Sequence, residues 1–313
     1  MSAPQTIRMI QDNIARVIKG KSHVIEMSVV CLLARGHLLL EDVPGVGKTT
    51  LAHSLARSLD CSFKRIQFTS DLLPSDIVGV SIFNRQKQGF EFMPGPIFAN
   101  IVLADEINRT TPKTQSSLLE AMSEAQISVD NQTYALPQPF MVLATQNPAE
   151  YHGTFPLPES QLDRFLMRLR IGYPSLAEER KVLERPYALH PADKIDPILS
   201  AQDVVDLQHR VDGIRMEESL TEYLLAIVQA TRHSELLSLG VSTRGALALS
   251  KSAKALAFVR GRDYCVPDDI KELAPLVLSH RVMLNRTHGL RAQSFEQAER
   301  VVQEILDTVA VPV

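Results

Sequence analysis

The chain of 313 residues has no tryptophan, and aromatic residues make up only 5% of it. It has 3 cysteines, Cys31, Cys61 and Cys265. They are odd in number, far apart and without metal-site spacing. That excludes a disulfide framework and reads as reduced core thiols of a cytoplasmic protein. Charge of one sign is also lacking: the net charge is −3 and the pI about 6.3. No global field draws the chain to nucleic acid, though a local basic stripe stays compatible. No apolar run approaches the roughly 20 residues that cross a bilayer. The opening M-S-A-P-Q-T-I-R has no basic region followed by an apolar core, so no signal peptide is expected. Low-complexity tracts and internal repeats are missing too. What remains is an ordinary globular balance, 45% hydrophobic and 22% charged, at a length that suits two domains.

The most informative stretch is H-L-L-L-E-D-V-P-G-V-G-K-T-T, His37 to Thr50. Leu38 to Leu40 reads as a short buried strand. A Gly/Pro turn follows, then an apolar-periodic helix from about Thr49 to Leu59. Gly45 and Gly47 let the backbone approach a phosphate with no Cβ in the way. Backbone N–H groups and the helix N-terminus form a cradle for that anion. Lys48 reaches β- and γ-phosphates, and the Thr49 hydroxyl ligates Mg²⁺. Asp42 stands where such a loop usually has its first glycine, while Pro44-Gly45-Val46-Gly47-Lys48-Thr49 is intact.

The chain around it alternates between helical and strand patterns. Helices are expected from about Thr6 to Val17 and from Ser22 to Arg35, and Gly20 marks the break between them. Val17, Ile18 and Gly20 fit either a small adenine pocket or a plain inter-helix turn. Phe63 to Phe68 reads as a second strand. In Thr69 to Ile97, Val80 and Ile82, then Phe90 and Phe92, alternate around a polar Q-K-Q-G tip, a hairpin signal. Phe90 and Phe92 suit either substrate contact or the packing of the hairpin itself. Thr111 and Pro112 start a helix. A second hairpin is read over Gln126 to Pro137, with turn residues Asp130 and Asn131.

Two further apolar strands end in polar groups, where open α/β sheets bind ligands. Ile101 to Ala104 ends in Asp105 and Glu106, placed to hold a Mg²⁺ water shell and to polarise an attacking water. Phe140 to Pro148 ends in Asn147, which suits a water-positioning or γ-phosphate contact, or simply a turn before proline. Leu162 closes a short helix, and Phe165 to Ile171 alternates like a last strand. Arg164 and Arg168 are each readable as an arginine finger or as a salt-bridging arginine. After Tyr173, Pro174 and Ser175 the pattern turns all-helical. Helices are expected over about Leu176–Arg185, Ala201–Val211, Ser219–Ser234, Thr243–Val259, Pro267–Ser279 and Ser294–Leu306. Asp203, Ser219 and Pro267 read as start signals, Pro186 as a stop, and 191–197 and 285–292 as loops. Arg244, in a first helical turn, either reaches a γ-phosphate from outside the sheet or is simply solvated.

The order of these pieces resembles the AAA+ ATPases, and most closely the MoxR family. The resemblance covers about residues 5 to 308. It is carried by L-L-L-E-D-V-P-G-V-G-K-T, A-D-E-I-N-R, A-T-Q-N-P, L-P-E-S-Q-L-D-R-F and V-R-G-R-D-Y-C-V-P-D-D-I. It implies an α/β fold: a parallel-sheet P-loop core with helices on both faces, over residues 1–173, followed by a small all-α lid over 174–313. It implies inserted hairpins at about 75–97 and 126–137. It implies ATP and Mg²⁺ as cofactors, held by Asp42, Val43, Pro44, Gly45, Val46, Gly47, Lys48, Thr49 and Thr50, with Thr49 and Asp105 toward the metal and Ile18 and Gly20 toward the base. Glu106 would activate water, Asn147 would be sensor 1, Arg164 the arginine finger and Arg244 sensor 2, in cis or in trans. The implied assembly is a homo-oligomeric ring, most readily a hexamer, that remodels or activates partner proteins. Those partners would carry von Willebrand factor A domains or be metalloenzymes. Stable nucleic-acid binding is not expected. The competing reading is a helicase-like nucleic-acid motor, for which Lys64, Arg65, Arg85 and Lys87 are sparse and lack an aromatic stacking platform. A nucleotide-gated scaffold is a third reading, disfavoured by the complete set of catalytic residues.

Overall fold

The computed structural model describes residues 3–130, 132–147, 154–183, 192, 195–285 and 295–312. Asn131, the stretch around Arg185 and Pro186, residues 191, 193 and 194 of the loop expected at 191–197, and residues 286–292 of the one expected at 285–292 lie outside them. Two N-terminal helices, α1 (Ala3–Ala15) and α2 (Ser22–Leu33), lead into β1 (Leu38–Glu41). Then come α3 (Lys48–Ser58), β2 (Phe63–Gln67), a short α4 (Pro74–Val78) and the first hairpin, β3 (Gly79–Asn84) with β4 (Gly89–Pro94). β5 (Ile101–Asp105), α5 (Pro112–Glu124), the second hairpin β6 (Gln126–Val129) with β7 (Gln132–Ala135), β8 (Met141–Gln146), α6 (Glu159–Leu162) and β9 (Met167–Leu169) complete the sheet-bearing half. The rest is α7 (Leu176–Leu183), α8 (Ala201–Asp212), α9 (Glu218–His233), β10 (Leu237–Leu239), α10 (Thr243–Val259), α11 (Pro267–Leu278), β11 (Met283–Leu284) and α12 (Phe295–Thr308).

Five strands form one parallel sheet in the order β2-β5-β8-β1-β9. Its inner strands are continuous apolar runs because both faces are covered. Successive side chains leave a strand on opposite faces. Leu38, Leu40, Ile101, Leu103, Met141 and Leu143 join one cluster with α1, α2 and α3. Leu39, Val102, Ala104, Val142 and Ala144 join the other, with Leu118, Leu119 and Met122 of α5. The first cluster runs on without a break into Ile227, Leu256 and Leu273 of the C-terminal helices. His37 buttons three elements together before β1 begins. Its Nε2 meets the Met122 carbonyl at 2.9 Å and its Nδ1 accepts the Val142 N–H at 3.0 Å.

Some expectations shift in detail. The last strand shrinks to Met167–Leu169 because its ends bond elsewhere. The Phe165 N–H closes a turn on Leu162, and the Ile171 N–H goes to the Asp42 carboxylate. The C-terminal half is helical but also carries the antiparallel β10–β11 ribbon, whose strands are too short to show a period in sequence. α8 is capped by Ser200, with Asp203 at the third helical position rather than at the cap. Thr111 has the N-cap backbone, yet its hydroxyl meets the Thr114 hydroxyl instead of a backbone N–H. The two hairpins touch: Phe92 stacks on Tyr134 with ring centroids 4.1 Å apart and also packs on Phe98. Phe92 is thus an anchor, whereas Phe90 is 78% exposed at the tip, edge-on to Phe83. Among the described residues no helix is long and apolar enough to cross a membrane.

Candidate functional site

The turn after β1 bends through Gly45 (φ +86°) and Gly47 (φ +98°), both in the left-handed region that favours glycine. A Cβ added at Gly45 would meet nothing within 4 Å, and one at Gly47 only the Ile18 Cδ1 at 3.8 Å. These glycines therefore leave open room on the loop's inner side. α3 begins immediately after, with no acidic residue in its first turn, so its free N–H groups present a positive end. Lys48 Nζ donates to the Asp42 carbonyl at 2.7 Å and the Val43 carbonyl at 3.3 Å, which arches the lysine over the loop. Burial lowers the Lys48 pKa, opposed by the charges of Asp105, Asp42 and Glu106.

A cleft of about 350 Å³ opens beside this loop, lined by Pro44, Gly45, Gly47, Lys48, Thr49, Thr50, Arg65, Gln67, Asp105 and Glu106. Sheet register explains the convergence. Asp105 ends β5 directly beside Gln67 of β2, and Thr145 follows the Ala104–Ala144 pair on β8. The Thr145 hydroxyl donates to Asp105 Oδ1 at 2.6 Å and accepts the Glu106 N–H at 2.8 Å. Glu106 has φ +59°, a conformation that costs a non-glycine residue of order 1 kcal/mol. The Thr145 bond holds it there, and its carboxylate accepts from Gln67 Nε2 at 2.9 Å and pairs with Arg109 Nε at 3.1 Å. Asn147 is buried just beyond β8, two residues past Thr145.

The other expected residues distribute as follows. Ile18 packs over Gly47, so the α1–α2 turn does border the loop. Gly20 (φ +67°) faces the Glu178 carboxylate so closely that a Cβ would overlap it. Asp42 does not face the cleft's phosphate side with its carboxylate. Its Oδ2 accepts the N–H groups of Ile171 (2.8 Å) and Gly172 (2.6 Å), and its Oδ1 accepts that of Val43 (3.0 Å). The residue in place of the usual glycine ties the loop's start to the exit of β9. Val46 leans on the core and does not line the cleft.

Arg164 does not line its own chain's cleft. Its Nη1 donates to the Leu119 carbonyl (2.5 Å) and the Ser123 hydroxyl (2.9 Å) of α5. Arg168 is 1% exposed and bonded to Glu41 at 2.5 Å and to Glu299 of α12, so it is structural. Burial pushes Glu41 up and Arg168 down, each partly offset by the other's charge. Arg244 is exposed in the first turn of α10. The cap of that helix, Ser242, donates to Asp163 at 3.2 Å, beside Arg164. Buried Arg281, its pKa lowered to about 10 by burial, bonds Asp163 at 2.8 Å and the carbonyls of Phe165 and Leu166. Asp163 thus ties the Arg164 segment to the first turn of α10, where Arg244 lies two residues after Ser242.

Sequence reading missed Arg65, Gln67, Thr145 and Arg281 as site or scaffold residues. The alternation over residues 63–68 puts 63, 65 and 67 on one face, and only the pairing of β2 with β5 sets that face beside Asp105.

Comparison with known proteins fits this geometry. Residues 37–167 match the ATPase family associated with various cellular activities (AAA), and 229–306 match the AAA lid domain. The chain is 53% identical over 305 residues to the uncharacterized protein YeaC of Bacillus subtilis, covering 96% of this chain and 93% of that one. It is 42% identical over 308 residues to Chaperone MoxR1 of Mycobacterium tuberculosis, covering 96% and 80%. A crystal structure of a candidate ATPase from Cytophaga hutchinsonii superposes with a TM-score of 0.91 at 39% identity, covering 99% and 96%. Likeness along nearly the whole chain, with the phosphate-loop residues and the Asp105–Glu106 pair lining one cleft, establishes that the chain belongs to the MoxR family of AAA+ ATPases.

Proposed function

We propose that the protein hydrolyses ATP in a homo-oligomeric ring and uses the cycle to remodel or activate partner proteins. The convergence of Lys48, Thr49, Asp105 and Glu106 on one cleft carries this reading. The donor set fits Mg²⁺·ATP: a hydroxyl and a carboxylate are hard oxygen ligands, and the glycine turn and α3 N-terminus suit a phosphate. Bound Mg²⁺ would neutralise charge on the phosphates, with Thr49 and Asp105 holding it. The loop N–H groups and Lys48 orient the β- and γ-phosphates. Glu106 takes a proton from the attacking water, and Asn147 orients that water. Thr145 holds the Asp105 carboxylate and the Glu106 backbone N–H through one hydroxyl. Ile18 and Gly20 border the base.

Neither Arg164 nor Arg244 is among the residues lining their own cleft, which supports action on the neighbouring subunit's nucleotide by both. Such a head-to-tail contact closes into a ring when its rotation permits, here most readily a hexamer. Residues from about 174 act as the lid. The exposed Phe90 tip is the surface for a protein substrate, with von Willebrand factor A domain proteins or metalloenzymes as the partner classes. A nucleic-acid motor is disfavoured because Arg65 and Lys87, two of its four basic candidates, are paired with Asp105 and Glu91.

Mixing tests the shared site. Lys48→Ala and Arg164→Ala are each expected to be inactive. An equimolar mixture should recover about a quarter of wild-type hydrolysis, because random assortment rebuilds that share of interfaces. No recovery, with both variants assembled, would refute action in trans. Glu106→Gln should retain ATP and serve as bait for the partner.

A further inference from the structure

Arg65 and Gln67 lie on the edge strand β2, outside the loop and outside the two carboxylates' own strand. Period-two geometry puts them on the α3 face of the sheet. The Arg65 guanidinium donates to Asp105 Oδ2 from Nε at 3.1 Å and from Nη2 at 2.6 Å. Nη2 also donates to Gln67 Oε1 at 2.7 Å, which orients the amide so that its Nε2 donates to Glu106. The other Asp105 oxygen holds the Thr145 hydroxyl. A fixed positive charge therefore sits on the carboxylate assigned to the divalent ion. The Asp105 side chain is 12% exposed, so solvent screens this contact poorly, whereas Arg65 is 49% exposed and has room to swing away.

We propose that Arg65 is a positioning residue that holds Asp105 as a monovalent counter-charge and competes with Mg²⁺ for it. The inference rests on the cleft being a Mg²⁺·nucleotide site. A guanidinium cannot shed its proton, so the conflict with a divalent ion is resolved by movement, not by neutralisation. Once Arg65 moves, Gln67 loses the donor that fixes its amide, and its hold on Glu106 loosens. Arg65 thereby sets how much Mg²⁺ the site requires.

Binding of a fluorescent ATP analogue, measured across a Mg²⁺ titration and in EDTA on the full chain, tests this. Arg65→Ala should lower the Mg²⁺ concentration at half-maximal binding about tenfold, since one repelling charge is removed. Affinity in EDTA should fall modestly, by no more than about tenfold, because the lost charge no longer offsets Asp105 against the phosphates. Arg65→Lys keeps the charge but not the fork, and should shift the Mg²⁺ midpoint less than Arg65→Ala does. An unchanged or raised Mg²⁺ requirement in Arg65→Ala overturns the proposal, and so does weakened binding at saturating Mg²⁺, which would make Arg65 a phosphate ligand. If Arg65→Ala fails to fold, Arg65→Gln gives the same reading. Failure of the cleft assignment looks different: wild type would ignore Mg²⁺ and Lys48→Ala would bind as well as wild type.

Discussion

Asp42→Gly would restore the glycine usual at the start of a phosphate loop, and on motif grounds alone it should be harmless or helpful. The structure indicates the opposite. The Asp42 carboxylate accepts three backbone N–H groups, two of them from Ile171 and Gly172 at the exit of β9. Bonds to a charged acceptor contribute about 1.5–3 kcal/mol each, and water replaces part of that at this half-buried site. Glycine also adds backbone freedom of roughly 0.5–1 kcal/mol to a loop that must be ordered to bind. A net loss of about 2 kcal/mol in preorganisation corresponds to an affinity roughly 30-fold weaker. Equilibrium titration with a fluorescent ATP analogue at saturating Mg²⁺ reads this directly, and urea unfolding separates loss of the loop from loss of the fold. Affinity equal to or tighter than wild type would show that the tie to residues 171 and 172 does not organise the loop.

Two further outcomes follow from buried charge and buried imidazole. Arg168→Met leaves buried Glu41 with only Arg170, at 3.9 Å, and should cost about 3 kcal/mol in urea unfolding, largely recovered in Glu41→Gln/Arg168→Met. Burial already raises the Glu41 pKa above its unfolded value. The penalty is therefore full at high pH and fades as pH falls through the folded-state pKa, so a deficit that stays constant as pH is lowered from 8 through the acid range would contradict the assignment. Burial pushes His37 from its usual 6.5 down to about 4. Between those values the unfolded chain binds a proton that the folded chain does not, so stability should fall by about 3 kcal/mol as pH drops through that window. His37→Gln should show a shallower pH slope in the same assay, and identical slopes would remove His37 from this role.

Much of the molecule is legible from local pattern. Leu38 to Leu40, Ile101 to Ala104 and the run from Phe140 are uninterrupted apolar segments, and only a sheet covered on both faces makes such segments stable as strands. Gly45, Gly47, Lys48 and Thr49 are recognisable because phosphate chemistry requires those residue types at fixed offsets along one turn. Asp105, Glu106 and Asn147 are found by the same logic, at the ends of buried strands.

What the order of residues alone determined is the set of strands and helices, the loop that can hold a phosphate, and the carboxylates that can serve it, because each is written within a few consecutive positions. Tertiary structure decided the rest. Arg65 is one of four scattered basic residues until strand pairing sets it against Asp105, 40 positions away. Arg168 is a surface candidate until β1 and α12 enclose it. Asp42 looks like a broken motif until the exit of β9 arrives to use its carboxylate. A charge's role depends on which distant group neutralises it and on how much water reaches the pair, and neither is encoded in its sequence neighbours.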